Sequence, residues 1–308
     1  MRIWRNLGLL APLALAGCSV HDLRLFFPAG PMADVEFHYT WLMVVTMLIV
    51  IVPTLVMTIV FPLRYHHSRN AKYTPNWDFS AVIEVLAWGI PLAIVLPLCY
   101  MTIKAVNALD PWNPPALAGQ GSGGAPVNVE VVATDWQWVF IYPDQKIATI
   151  DELVVPAGRR VNLTMTATSN MNGFYIPQVA PMVDAMPAMQ SKDAFIIDKP
   201  GQFTGFSTDF SGAGFSWMQF QTKAVTDAGF AAWVQGVQAG APALDYPTFT
   251  AKIAPAQVNY GAKISEFTLA DPKLFDEVMA AAMMGKVYPV PPALDDSVNL
   301  AAATPAGQ

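Results

Sequence analysis

The chain has 308 residues, 54% of them hydrophobic and only 13% charged, with a formal net charge of -6. Soluble proteins average about 25% charged residues, so this composition excludes a disordered chain and a wholly soluble one. The negative charge excludes a nucleic-acid binder, because binding to phosphate is mostly electrostatic. Two cysteines exclude a disulfide scaffold.

Residues 1–17 are predicted to be a lipoprotein signal peptide. Arg2 and Arg5 form a basic start, and the apolar run that follows is too short to span a bilayer. The run ends in Leu-Ala-Gly-Cys18, which resembles the bacterial lipobox. In that motif the chain is cut before the cysteine, and a lipid is attached to its sulfur. The mature chain would then start at Cys18, with residues 18–38 outside the cytoplasmic membrane.

Two later segments are long enough to cross the membrane as helices, which requires about 20 apolar residues. Residues 39–63 carry no charge, and residues 79–106 carry Glu84 near their start. The intervening loop, residues 64–78, has three basic side chains against one acidic: Arg64, Arg69 and Lys72 against Asp78. Such loops stay in the cytoplasm. The sequence therefore predicts a hairpin that turns inside, with everything after residue 106 outside.

The part outside the membrane is predicted to be mostly β-structure. Residues 107–126 are rich in Pro and then Gly, as in a linker. Short alternating or aromatic segments follow within residues 127–240, which favours a β-sandwich or barrel; they are 127–133, 136–142, 160–167, 194–197, 203–207 and 215–222.

Helices are predicted near the end of this part. Thr226 can cap one helix, and Asp271-Pro272 can start a second that stops at Gly285. Residues 286–308, rich in Ala and Pro, are predicted to be disordered.

The side chains available outside the membrane restrict its chemistry. There is no His and no Cys from residue 107 to 308, so a blue-copper site, a structural zinc site and a Ser-His nucleophile cannot be assembled there. Met182, Met186 and Met189 lie close in sequence. Their thioethers could hold Cu(I), or they could form a contact surface; both interpretations stay open here.

Three motifs carry a resemblance to a known family: TDWQWVFIYP at 134–143, NMNGFYIP at 170–177 and DFSGAGFSWMQF at 209–220. With the lipobox and the hairpin, they resemble subunit II of the haem-copper respiratory oxidases, specifically of the cytochrome bo-type ubiquinol oxidases. The resemblance implies a two-helix transmembrane hairpin and an all-β, cupredoxin-like Greek-key sandwich. It also implies that residues 241–285 form an aromatic-rich, helical C-terminal extension.

The resemblance also implies what the outer domain lacks. In the cytochrome c oxidase branch it holds the dinuclear CuA centre on two His, two Cys, a Met and a Glu carbonyl. The matching positions here are Asn172 and Phe215 for His, Ser207 and Ser211 for Cys, Asp209 for Glu, and Met218, which alone keeps its type. A serine hydroxyl cannot replace a bridging thiolate, so the domain is expected to bind no metal.

Glu84 is the ionisable residue with a plausible chemical role. A helix starting near Phe79 would place it roughly 7.5 Å into the bilayer, where ionisable groups are costly and usually functional. It could also snorkel to the cytoplasmic surface. The resemblance favours a functional role, because the family's Glu in the matching motif lies at the mouth of a proton-uptake path into the large subunit.

The expected assembly is a proton-pumping quinol oxidase of the bacterial inner membrane. The large subunit I would hold the haems, the copper and the quinol site, with subunits III and IV and membrane lipid as further partners. This chain alone would not be catalytic. Two alternatives are a Cu(I)-binding membrane lipoprotein and a membrane-anchored cupredoxin electron carrier, the latter disfavoured by the missing His and Cys.

Overall fold

The computed structural model describes residues 24–66, 79–112, 114–119, 124–255 and 264–289. The predicted signal peptide, Cys18, most of the loop at 64–78 and the tail after residue 289 lie outside these residues.

Two long apolar helices come first, α1 at Pro31–Arg64 and α2 at Ala81–Ala108. Each has a strongly hydrophobic window of which none is buried within the chain. Helix α1 begins at Pro31, a residue well suited to the first helical turn, and therefore starts before the predicted span at 39. Its 34 residues give a length of about 51 Å, more than the roughly 30 Å of hydrocarbon, so its first turns project beyond the membrane.

Two β-sheets form the outer domain. The first has the order β11-β12-β3-β2-β1-β5-β8, with β1 Val127–Ala133, β2 Trp138–Tyr142, β3 Ile147–Ile150, β5 Arg160–Ala167, β8 Ser191–Ile196, β11 Ala243–Leu244 and β12 Ser265–Leu269. The second has the order β4-β10-β9-β6-β7, with β4 Glu152–Pro156, β6 Asn172–Ile176, β7 Ala180–Ala185, β9 Gly201–Ser207 and β10 Gln219–Val225.

Aromatic side chains fill the space between the sheets. Phe174 and Phe220 stack with ring centroids 5.0 Å apart, and Trp138 meets Phe174 edge-on at 5.2 Å; all three are fully buried. Such pairs stabilise beyond the area that they bury. The Tyr142 hydroxyl joins the sheets, because it accepts from the Val154 amide and donates to the Val154 carbonyl.

Several strands differ from their predicted bounds. Strand β2 begins at Trp138 rather than at residue 136, because Trp136 has a left-handed backbone with φ 75°. Residues 215–222 divide into a helical turn, Phe215–Trp217, and the start of β10. Strands β3, β4, β6 and β7 were not among the predicted segments. Strands β3 and β4 are short and buried along their whole length, so their sequences show no alternation.

Two longer helices follow the sandwich strands, with short helical segments at Tyr246–Thr248 and Phe249–Ile253 between them. Helix α3 spans Asp227–Gly240, and the Thr226 hydroxyl accepts from the Gly229 amide, as its predicted capping role requires. Helix α4 spans Leu274–Met283 and begins later than predicted, because the Asp271 carboxylate accepts from the Lys273 amide in a turn before the helix. The C-terminal extension also contributes β11 and β12 to the first sheet, so it is stranded as well as helical.

The segment that leads into α1 is bound to the sandwich. The Ala29 amide donates to the Gln178 carbonyl and the Asp198 amide donates to the Ala29 carbonyl. A Cβ on Gly30 would lie 2.0 Å from the Ile196 carbonyl oxygen. Beyond this contact a small apolar cluster is buried, consisting of Met32, Leu117, Ala194 and Ile196. The outer domain is therefore fixed to the projecting end of α1.

Candidate functional site

Two of the sequence-distant positions meet at one end of the sandwich. Asn172 opens β6 and Ser207 closes the neighbouring strand β9. The Ser207 hydroxyl donates to the Asn172 side-chain oxygen over 3.1 Å, and the Thr208 amide donates to the Gly173 carbonyl. Strand pairing thus brings these positions together, as the CuA resemblance requires.

Met218 and Phe215 lie beside them. The Met218 carbonyl accepts from the Ser207 amide over 3.1 Å, and its side chain is buried. Phe215 lies on the helical turn and is half-buried. Ser207, Phe215 and Met218 line one surface cleft of about 350 Å³. Four of the six predicted positions therefore surround the same end of the sandwich.

Asp209 and Ser211 occupy the loop that connects them. The Ser211 carbonyl accepts from the Trp136 indole nitrogen over 3.1 Å, which draws this loop over the Trp136 ring. Asp209 faces Asp184 of β7; burial and then the Asp184 carboxylate raise the pKa of Asp209. The carboxyl group of Asp209 thus interacts with that of Asp184.

Trp136 holds this loop in shape, a role that the strand prediction missed. A Cβ on Gly214 would lie 2.2 Å from the Trp136 ring. Gly212 has φ 117°, a conformation that other residues rarely adopt. The motif Ser-Gly-Ala-Gly at 211–214 is therefore the sequence signal for a loop that closes on an indole ring, and Trp136 is a packing residue.

The donors at this site do not fit a dinuclear copper centre. They are an amide, two hydroxyls and a thioether, and the phenyl ring of Phe215 offers no ligand atom, whereas thiolates and imidazoles are the ligands that copper prefers. A serine hydroxyl remains protonated at neutral pH and is held here by the Asn172 amide oxygen. Within the described ranges, no three His, Cys, Asp or Glu side chains come together in a way that could hold a metal ion.

The methionine group lies next to this end of the sandwich. The Met182 sulfur accepts a hydrogen bond from the Thr208 hydroxyl over 2.8 Å. Met186 is half-buried, and Met189 is exposed with its amide donating to the Met186 carbonyl. Met182 and Met189 are 51% and 54% exposed, as a contact surface requires.

Glu84 lies in the first turn of α2, where its amide donates to the Ser80 carbonyl. Because α2 begins at Ala81 rather than at Phe79, Glu84 lies about 4.5 Å along the helix axis from the first helical residue, less than the predicted depth. Its side chain is exposed on the surface of the chain. It can therefore face either a neighbouring subunit or the cytoplasmic water.

Comparison with known proteins defines the class of this fold and site. Residues 144–225 match the family model described as cytochrome c oxidase subunit II, periplasmic domain. Ubiquinol oxidase subunit 2 of Acetobacter aceti is 37% identical over 93% of this chain and 90% of its own length. Cytochrome bo(3) ubiquinol oxidase subunit 2 of Pseudomonas putida is 36% identical over 86% of this chain and 82% of its own length. Quinol oxidase subunit 2 of Bacillus cereus is 30% identical over 83% of this chain and 87% of its own length.

The outer domain is thus of the oxidase subunit II class. The chain as a whole belongs to the family of ubiquinol oxidase subunit 2. With its two membrane-crossing helices, it is a membrane protein whose cupredoxin-like domain is periplasmic.

Proposed function

We propose that this chain is the metal-free subunit II of a proton-pumping quinol oxidase, in which quinol oxidation is coupled to the reduction of dioxygen to water. The observation that carries the proposal is the converged but unsuitable donor set at Asn172, Ser207 and Phe215. Without copper there, the outer domain offers no site for electrons to enter. Electrons would pass from quinol directly to haem in the large subunit, and this chain would act in assembly and proton supply.

The geometry supports the assembly role. Helices α1 and α2 present apolar surfaces that the chain itself leaves uncovered, so they fit the membrane faces of larger partner subunits. The contact of Gly30 with Ile196 fixes the outer domain to the projecting end of α1. Docking of the hairpin therefore also sets the position of the outer domain above the large subunit, with subunits III and IV as further expected partners.

Glu84 is assigned to the cytoplasmic entrance of the proton-uptake path. It lies in the first turn of α2, the end that the predicted topology puts at the cytoplasmic surface, and its side chain is exposed among the residues that the structure describes. A carboxyl group in that position can collect a proton from the cytoplasm and pass it to an adjoining subunit.

Glu84→Gln and Glu84→Ala are expected to slow proton uptake and oxidase turnover by about tenfold or more, because a positioned proton-transfer group contributes about 10²–10⁴-fold. Glu84→Asp should keep part of the activity, since the shorter acid still titrates. Turnover and proton uptake are measured in the purified complex reconstituted in vesicles, with haem content as the control for assembly. Full turnover in both the Gln and Ala variants would show that Glu84 is only an interfacial residue.

The lipid anchor gives a separate prediction. The mature chain is expected to begin at Cys18 with a thioether-linked lipid, and intact-mass spectrometry of the purified subunit checks this. Cys18→Ser should abolish the added mass but leave the protein in the membrane, because the hairpin insertion alone is effectively irreversible. Retention of Met1, or an unmodified Cys18, would contradict the prediction.

A further inference from the structure

A buried carboxyl group lies where α1 meets the sandwich. Strands β7 and β8 are the edge strands of the two sheets, and α1 packs against both. Asp193 of β8 is 1% exposed. Side chains alternate between the two faces of a strand. Asp193 therefore lies on the same face of β8 as Phe195, which is in the sandwich core, and Ala194 lies on the other face and packs towards α1. One oxygen of Asp193 accepts from the Ala194 amide, but the other is buried with no hydrogen-bond partner.

Glu36 of α1 is a second acid at this contact, one helical turn beyond Met32, which packs against β8. Glu36 is half-buried, and one of its oxygens is also buried without a hydrogen-bond partner. Its charge acts on Asp193 and on Tyr175 of β6. Burial and then Glu36 raise the pKa of Tyr175 to about 12, so this hydroxyl stays neutral. The gap between β7 and β8 that α1 covers, here called the edge seam, thus holds two acids.

The partly buried cations on the surrounding elements are engaged elsewhere, and Arg24, on the turn that precedes α1 and packs against it, is exposed. Lys192 of β8 lies over the Trp112 ring at 4.8 Å, and Arg160 of β5 donates to Asn162. The other titratable groups on the elements packed here are Asp34 and His38 of α1 and Asp184 of β7. In the described part of the chain, the ion pairs join other residues, namely Arg159 with Asp227 and Lys223 with Glu152.

An ionised carboxylate without a partner is costly to bury, so such a group takes up a proton instead. Burial, then the charge of Glu36, raises the pKa of Asp193 to about 7, although the Ala194 amide acts in the opposite direction. Two negative charges in the edge seam would also repel each other across a poorly solvated space. Both effects favour a neutral Asp193 while α1 stays docked.

We propose that Asp193 is a proton-binding site at the joint between α1 and the outer domain, and that its ionisation opposite Glu36 loosens the docking of α1 on β8. Below neutral pH the carboxylic acid is neutral and the joint is closed. As the pH rises, negative charge accumulates in the edge seam, because burial raises the pKa of both Glu36 and Asp193, and the contact around Ile196 and Met32 weakens. The strength of the joint would then follow the pH of the periplasm.

The direction of the pH dependence follows from proton linkage. The ordinary pKa of Asp193 is 3.8, and the folded value is about 7. Between these values the folded state binds more protons than the unfolded state, so the stability of the joint falls as pH rises. The contribution is fully present below about pH 4 and is lost as pH rises through about 7.

Hydrogen exchange of the full-length chain in the purified oxidase tests the proposal. After correction for the intrinsic rate, protection of residues 29–38 and 191–198 is expected to fall by about tenfold between pH 5.5 and pH 7.5. In Asp193→Asn, which keeps the shape without the titration, protection should stay constant over this range. Glu36→Gln should shift the fall to lower pH, because the charge that helps to raise the pKa of Asp193 is gone.

Asp34→Asn is the matched control, since Asp34 is an exposed acid on the same turns of α1; it should keep the wild-type pH dependence. A wild-type joint whose protection does not change with pH would overturn the proposal. So would an Asp193→Asn variant with the same fall as wild type. Protection that rises at pH 7.5 on addition of Mg²⁺ or Ca²⁺ and is lost with EDTA would also overturn it, because the seam would then bind a cation rather than a proton.

Discussion

Gly30→Ala is expected to release the segment before α1 from the sandwich. The added methyl carbon would lie 2.0 Å from the Ile196 carbonyl oxygen, which is backbone in an edge strand and cannot move without disturbing β8. Overpacking of this kind costs about 1–3 kcal/mol, enough to open a local contact. Limited proteolysis of the full-length protein in detergent should show faster cleavage near residues 27–33, together with a lower melting temperature of the outer domain.

Gly236→Ala is the matched control for this substitution. Gly236 lies within α3, and a Cβ there would meet no atom within 4 Å. The same chemical change should therefore be neutral or stabilise by about 0.5–1 kcal/mol, as for Gly to Ala within a helix. If the Gly30→Ala and Gly236→Ala proteins had the same cleavage rate and the same melting temperature, α1 and the sandwich would not be in tight contact at Gly30.

A variant with Asn172→His, Ser207→Cys, Ser211→Cys and Phe215→His is expected to bind two copper ions and turn purple. Ser207 and Asn172 are already 3.1 Å apart at their side-chain oxygens, and Phe215 and Met218 line the same cleft. The Asp209 ligand would be a backbone carbonyl and needs no change. Because Phe215 is only half-buried, its replacement should cost less than the about 3–5 kcal/mol of a buried phenylalanine.

Visible absorption and electron paramagnetic resonance distinguish the outcomes for this variant. A copper pair bridged by thiolates gives intense visible bands, and its unpaired electron is shared by two nuclei. The variant with Asn172→His and Phe215→His alone is the control, which should bind no bridged pair because it lacks thiolates. A well-folded quadruple variant with only isolated Cu(II) would show that Ser211 does not approach the other positions, so the correspondence with CuA would be wrong.

The sequence was sufficient for the parts of the fold that have a strong local pattern. The hairpin followed from uncharged apolar length, and β1 and β5 followed from alternation. The capping role of Thr226 followed from a single residue type beside an apolar helical face. Strands β3 and β4 were missed, because a short strand that is buried on both faces has no period to detect. Strands β6 and β7 were missed as well.

The site was predicted by family resemblance rather than by local pattern. Asn172 and Ser207 are far apart in sequence, and only the pairing of β6 with β9 brings them together. The turn at Trp136 was missed because an aromatic, β-branched run is typical of a strand, whereas the left-handed backbone of Trp136 delays the start of that strand to Trp138. Asp193 and Glu36 gave no signal at all, since their proximity depends on how α1 covers the sandwich edge.

This chain is proposed to provide no entry site for electrons, and the choice of electron donor by the complex tests this most directly. Oxygen consumption by the purified complex would be measured with ubiquinol and, separately, with reduced cytochrome c. The proposal predicts turnover with ubiquinol and none above background with cytochrome c. Rapid oxidation of cytochrome c, at a rate comparable with that of ubiquinol, would contradict the assignment of a metal-free subunit II.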